Sequence, residues 1–316
     1  MSAPGTSIDR LIAQERSRPA RMAASLRRTA RDLRGSRAGM LGVAVLVLFG
    51  LLALLAPVIA PQDPNASTSF SPEIMLAPSS DHWLGTDANG RDVLSLVLYG
   101  ARISLLVGLS AALVSSIIGA LVGICAGYFG GWTDRLLTAI DDWFLVIPFL
   151  PLAIVLAALL GERAQDWPLG QVSLLILVIG ATGWAGTSRI VRSQVLSVKE
   201  RAYVERARAL GARSPHVLRR HILPNVLPVL FANTVLIVAV SILTESTLSF
   251  LGLGDPTRAS WGTMLDEANE AGAMAQGAWW YFLPPGGCIL AVVLSFTVVG
   301  YALEELVNPA LRKRRA

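Results

Sequence analysis

The sequence predicts an all-α integral membrane protein with six transmembrane helices, and three observations carry that prediction. Hydrophobic residues make up 53% of the 316 positions and charged residues only 16%, well below the roughly 25% charge of ordinary soluble domains. The apolar residues are gathered into runs of the length a bilayer requires, about 20 residues. A helix lets such a run satisfy its own backbone in lipid. Finally, the basic residues sort to one side. With six crossings, residues 1–39, the turn near Gly130 to Arg135, the loop Ser188 to Asn225 and the tail from Val307 share a side, and they hold 23 of the 27 Lys and Arg. That side is expected to be cytoplasmic, with both termini inside. Five or seven crossings would scatter these charges.

The elements follow in order. Residues 1–39 are Arg-rich and weakly patterned, and read as a basic mobile tail or an interfacial helix near acidic headgroups. The first span covers residues 40–60; its apolar core exceeds the 7–15 residues of a cleaved signal, so a retained anchor is expected. An external segment, 61–101, follows, with Val93 to Tyr99 as an interfacial helix leading into span two, Ile103 to Phe129. Span three runs from Trp143 to Gly161. Asp141 and Asp142 stand at its start, where acids suit the helix dipole, while Pro148 and Pro151 kink it, either as a gate hinge or for packing. Span four is Trp167 to Ser188 and span five Ile222 to Phe250. A second external segment carries Trp261, Trp279 and Trp280, residues suited to a headgroup belt. The last span lies within Ala271 to Leu303 and begins at Pro284-Pro285; Glu304 and Glu305 at its inner end meet arginines or solvent. Residues 102–311 thus form the transmembrane domain, interrupted by a polar loop at 194–225, and 312–316 form a basic tail.

Resident chemistry is absent from the pattern. No GxxxxGK[ST] phosphate loop occurs, and neither Lys199 nor Lys313 follows a glycine. His82, His216 and His221 form no HExxH pair, and no GxSxG elbow is present. Cys125 and Cys288 lie in apolar runs without CxxC spacing, as packing residues do. Work done by this chain must draw on a partner, an ion gradient or the solute gradient. A stand-alone gradient-driven transporter would need inverted repeats or several charges within its spans. The sequence shows no evident repeat and one charge inside a span, Glu245. Glu245 either lines a pathway, holds an outer gate shut, or makes hydrogen bonds at the membrane edge.

The loop AYVERARALGARSPHVLRRHILPN, Ala202 to Asn225, is the most informative polar stretch. Tyr203, Ala207, Leu210 and Gly211, with Val217-Leu218 further along, fall near one helical face, with arginines on the others. Ser214-Pro215 reads as a helix start with Ser as cap, so two short helices broken at Gly211 to Ser214 are expected, and Pro224-Asn225 marks the entrance to span five. Such a loop lies on anionic lipid or docks on protein. The small residues Ala207 and Gly211 favour close approach to protein, and Glu205 is a poor choice against an anionic surface.

The pattern Glu205-x-Ala207-x3-Gly211, followed by Ile222-Leu223-Pro224, resembles the coupling motif of ABC-importer permeases, with Arg206 where that motif has Ala. Three further stretches narrow the resemblance to the C-type subunit of dipeptide and oligopeptide permeases: DLRGSRAGMLGVAVLVLFGLLALLAPVIAPQDPN, HWLGTDANGRDVLSLVLYGARISLLVG and ESTLSFLGLGDPTRASWGTML. The resemblance implies a MetI-like core with an added N-terminal helix and a cytoplasmic coupling helix. It implies a homologous second permease, two cytoplasmic ATPase subunits that hold ATP and Mg2+, and an extracytoplasmic solute-binding protein, all working at the bacterial cytoplasmic membrane. No cofactor is expected on this chain, and nucleic acid is not an expected partner. Tyr203, Glu205, Ala207, Leu210, Gly211 and Pro224 become candidate ATPase-coupling residues, and Glu245, Asp141 and Pro148 candidate pathway or gate residues. Short peptides are the expected cargo, with nickel, glutathione or haem as alternatives within the same family.

Overall fold

The computed structural model describes residues 36–62, 74–164 and 166–307; most of the basic N-terminal tail and the 312–316 tail lie outside them. The helices are α1 (Arg37–Ile59), α2 (Val93–Phe129), α3 (Gly131–Val146), α4 (Phe149–Ala164), α5 (Gln171–Thr182), α6 (Ala185–Lys199), α7 (Ala202–Ala209), α8 (Ser214–Val217), α9 (Leu223–Leu248), α10 (Trp261–Glu270) and α11 (Trp279–Val307). Five-residue π-helical turns, Leu218–Ile222 and Ser249–Leu253, flank α9, so one long rod runs from Ser214 to Phe250 and breaks at Leu251 and Gly252, whose backbone is non-helical. Among the described residues the one β feature is an isolated bridge, Thr86 to Asp92. Four helices are long and apolar enough to cross a membrane, or six segments if the bent pairs α3–α4 and α5–α6 each count as one crossing. The six predicted spans map onto these six.

Their boundaries differ where local chemistry overrides hydropathy. α1 begins at Arg37 because the Ser36 hydroxyl caps it, accepting from Gly39 N at 3.2 Å. The predicted tail therefore ends before residue 39. The interfacial helix and span two are one continuous α2. Asp92 starts it by accepting from Ser95 N and Ser95 Oγ, both at 2.8 Å, and nothing after Val93 breaks it. Its 37 residues span about 55 Å at 1.5 Å per residue.

The predicted loop at Gly130 to Arg135 shrinks to Gly130, which with Gly131, the first residue of α3, takes positive φ (+68° and +58°), a conformation glycine adopts readily. α3 starts at once, so Asp141 and Asp142 sit in the C-terminal half of a helix and not at a helix start; the dipole reading of these acids fails. Pro148 does more than kink the chain. It forces Ile147 to extended backbone (φ −74°, ψ 125°), the usual effect of proline on its predecessor, and α3 and α4 meet at 88°. α11 begins at Trp279, ahead of Pro284 and Pro285, which lie inside it and leave the carbonyls of Trp280 and Tyr281 without their helical donors.

α2 is the central post. It packs on α1, α5, α6 and α9. Its contact with α6 uses glycines at four-residue spacing. Added Cβ atoms would fall 2.7 Å from Trp184 O at Gly119, 2.4 Å from Ser188 O at Gly123 and 2.9 Å from Val195 Cβ at Gly127. Small residues in such a stripe let helix backbones approach closely, the main source of packing energy between helices in lipid. Exposed Leu, Val and Ile side chains cover the outer faces of α1 and α2, including Leu54 and Val58 of α1 and Leu113 and Leu121 of α2.

Candidate coupling surface and its supports

The loop between α6 and α9 folds as the two short helices expected, α7 and α8, which form a hairpin broken at Leu210 to Arg213. Its inward side is Val204 and Val217. Both are fully buried against Val191, Val195 and Val198 of α6 and Tyr128 at the end of α2. The Arg208 guanidinium lies 5.0 Å from the Tyr128 ring centroid, a cation–π contact that fastens α7 to α2. The predicted shared face of Tyr203, Ala207, Leu210 and Gly211 is thus not the buried one. Val204 was missed, although it and Val217 are the only β-branched residues between Glu200 and His221, a signal of core positions.

The predicted residues instead make the outward surface. Leu210 is 88% exposed and Tyr203 39%; Glu205 and Gly211 are exposed and Ala207 half-buried. Gly211 has φ +85°, and nothing lies within 4 Å of where its Cβ would be. Its amide hydrogen bonds Arg208 O at 2.9 Å and closes α7, the left-handed helix terminus that glycine serves. Ser214 is not a cap. Arg213 occupies the cap position without a side-chain hydrogen bond, and Pro215 sits in the first turn. Pro224 is the second residue of α9, at the entrance expected for span five, although the helix is continuous with α8 through the π turn. Lacking an N–H, it cannot serve Arg220 O, and the π turn beside it, where Leu223 N reaches Leu218 O, takes up the disruption.

α6 leads straight into the hairpin and is laced to α3. Asp134 takes a two-pronged bond from Arg192, at 2.6 and 2.8 Å, the strong geometry for this pair. Arg189 donates to Asp142 at 2.8 Å and Ser188 Oγ to Asp141 Oδ2 at 2.8 Å. Lys199 Nζ, at the end of α6, donates to Gly127 O of α2 at 2.8 Å. Asp141 is almost fully buried. The hairpin, α6, α3 and the break at Pro148 therefore form one connected path.

Glu245 lies at the opposite end of the bundle, the cap end, where α10 sits. It is fully buried. Its carboxylate accepts from Ser104 Oγ at 3.0 Å, Ser249 Oγ at 2.9 Å and Ser246 Oγ at 3.3 Å. Ser104 Oγ in turn accepts from Trp261 N at 3.2 Å, and Trp261 Nε1 donates to Val97 O at 3.0 Å. α10 is held by a capping box between Ser260 and Thr263, the reciprocal arrangement that satisfies first-turn amides. Gly252, at φ +75°, turns the chain from α9 toward α10.

A second cap-end network holds the 82–92 loop. Buried Asp87 accepts from Arg91 Nε at 2.6 Å and from the amides of Asn89 and Arg91 at 2.8 and 2.7 Å. Arg91 also bonds Glu267 of α10. Burial pushes the Glu267 carboxyl above its usual value, while Arg91 pulls it down. Sequence reading found neither network as a site, because Ser104 and Glu245, or Arg91 and Glu267, are distant in the chain.

Known proteins place this architecture. The profile of the family described as "Binding-protein-dependent transport system inner membrane component" matches residues 119–313, and that of the "N-terminal TM domain of oligopeptide transport permease C" matches residues 25–78. The dipeptide transport system permease protein DppC of Bacillus subtilis (strain 168) is 35% identical over 90% of this chain and 85% of its own length. The oligopeptide transport system permease protein OppC of the same organism is 36% identical over 89% of this chain and 88% of its own. A putative peptide transport system permease protein of Brucella suis biovar 1 (strain 1330) is 36% identical over 90% and 92%. With a family profile covering more than half its length and relatives of this identity along most of it, the chain belongs to the inner-membrane permease family of binding-protein-dependent transport systems.

Proposed function

We propose that this chain is one permease subunit of an ATP-driven importer of short peptides, working by alternating access. The observation that carries the reading is the hairpin. Its apolar inner side is used up within the chain, while Leu210 stands 88% exposed at its turn. A loop meant for lipid would keep its apolar side outward; this one is keyed rigidly to α2 and α6 and offers a compact knob. Tyr203, Glu205, Ala207, Leu210 and Gly211 form the surface that enters a groove on an ATPase, and Pro224 lies where the knob joins the long rod.

The hairpin end, which carries the arginine-rich loop Ser188 to Asn225, faces the cytoplasm, and the distribution of basic residues supports both termini on that side. The complete transporter contains a homologous second permease, two ATPases holding ATP and Mg2+, and a solute-binding protein at the cap end. When ATP closes the ATPases, the hairpin moves α6. The acid–base ladder then carries the motion to α3 and the break at Pro148, beside the inner gate. Asp141 acts as a rung of that ladder. Glu245 locks the cap by hydrogen bonds and does not line the pathway. The test is uptake of a labelled dipeptide into vesicles holding all the subunits. Concentrative uptake that needs ATP, and ceases when the ATPases are left out, supports the reading. Uptake at the same rate without them defeats it.

A further inference from the structure

Four of the 27 basic residues lie away from the arginine-rich segments: Arg91, Arg102, Arg163 and Arg258. Arg91 is engaged by Asp87 and Glu267. Arg102 and Arg258 both line one groove of about 710 Å³ between α1, α2 and the chain before α10. Two of four scarce cations at a single apolar cleft call for a reason.

The groove is graded along its length. Gln62 N, just past α1, bonds Ser95 Oγ near the start of α2 at 3.1 Å, so the two helices run antiparallel. Tyr99, Arg102, Thr257 and Arg258 lie toward the cap end; Leu106 and Leu109 continue toward the middle of α2. Gly50 and Leu54 of α1 face them. Gly50 opens onto free space, with nothing within 4 Å of its Cβ position, and Leu54 is 77% exposed. The 28 residues from Arg102 to Phe129 cover about 40 Å, close to the thickness of a bilayer with its headgroups, so Arg102 stands at headgroup depth. Neither cation is firmly engaged. The Arg102 guanidinium lies 5.8 Å from the Tyr99 ring, and Arg258 reaches Asp255 only at 3.8 Å with 40% of its side chain exposed.

We infer that this groove holds one anionic glycerophospholipid of the cap-end leaflet. Its phosphate sits between Arg102 and Arg258, and one acyl chain runs along Leu106 and Leu109 against Gly50. An apolar wall does not by itself select among lipids, since neighbouring tails are equally apolar; the paired guanidinium groups do, because they attract anionic headgroups and form charge-assisted bonds to phosphate oxygens. A packed protein helix would have to bring an acid to each arginine, whereas one phosphodiester serves both. The inference rests on α1 and α2 as membrane spans, not on cargo or ATPases.

The test uses the purified transporter, full chain with its co-purifying subunits, in nanodiscs of equal phosphatidylglycerol and phosphatidylcholine, followed by native mass spectrometry. One retained phosphatidylglycerol per chain is expected, favoured about tenfold or more over phosphatidylcholine given roughly 1 kcal/mol per cation near the surface. The double variant Arg102→Gln, Arg258→Gln should keep its subunits and lose the preference. Gly50→Phe should lose the retained lipid of either type. Equal retention of both lipids by the unaltered protein overturns the inference, as does a photo-crosslinker at position 106 that labels the second permease in place of lipid. Dipeptide uptake measured in parallel separates this outcome from failure of the transport reading.

Discussion

Two stretches with family-like motifs, Ala202–Ile222 at the hairpin end and Glu245–Gly262 at the cap end, finish in opposite states. In the second, the carboxylate of Glu245 is enclosed and served by three serine hydroxyls, and the first amide of α10 is relayed to it through Ser104. Glu245, Ser246, Ser249 and Trp261 are all turned to the chain's own packing. In the first, Val204 and Val217 face inward and Leu210, Tyr203 and Glu205 face out. A buried polar group without partners is costly, so a charged motif inside a membrane protein must be completed internally or by another molecule. The Glu245 site is completed within the chain; the exposed hairpin residues, in the proposed reading, are completed by a partner. The difference separates a residue kept for the fold from a residue kept for a partner.

The sharpest break of this comparison comes from Gly211→Asp. It places a side chain at φ +85° on the proposed docking surface, with a backbone cost of about 1–2 kcal/mol for leaving the right-handed region, small for the whole fold. ATP-driven dipeptide uptake should fall by more than an order of magnitude, while the variant's amount in the membrane, read by immunoblot, stays near normal. Glu245→Ala should behave in the reverse manner. It strips a buried acceptor from three hydroxyls and should lower stability by about 3 kcal/mol or more, since bonds to charged groups contribute about 1.5–3 kcal/mol each. A detergent-denaturant titration measures this, and uptake should fall only in proportion to the folded amount.

Leu210→Ser refines the contrast. At so exposed a position the effect on stability should stay within about 0.5 kcal/mol, but the ATPase subunits should co-purify several-fold less well. The smallest effect belongs to Glu267. Its carboxyl is raised by burial against the pull of Arg91. A group with a raised value in the fold contributes stability below its unfolded value and loses it as pH rises through the folded one. Cap stability should therefore decline modestly as pH climbs from about 4.5, and Glu267→Gln should flatten that slope in thermal melts taken across the acid range.

These regions also show what a sequence discloses. The four long helices and the two bent pairs that make the candidate crossings were legible because length and apolarity are local properties. The α7–α8 break was legible from Gly211 and Pro215. The glycine stripe Gly119, Gly123, Gly127 was written at four-residue spacing and could have been read as a close helix contact. Other features were hidden because they depend on partners far along the chain. α3 carries Asp134, Asp141 and Asp142, which made it look like a loop followed by a helix start; only the facing Arg192, Ser188 and Arg189 of α6 allow those acids to sit along a helix. Glu245 could not be assigned from sequence for the same reason, since Ser104 lies 141 residues away. The inward role of Val204 was masked by the arginines around it, which drew the helical face the wrong way.

The central claim, that the hairpin is an incomplete surface finished by an ATPase, is tested most directly at Leu210. A photo-reactive benzoylphenylalanine placed there in the assembled transporter, in native membranes, should on illumination attach to an ATPase subunit, with a yield that changes when ATP is added. Attachment to lipid alone, unaffected by ATP, would contradict the account.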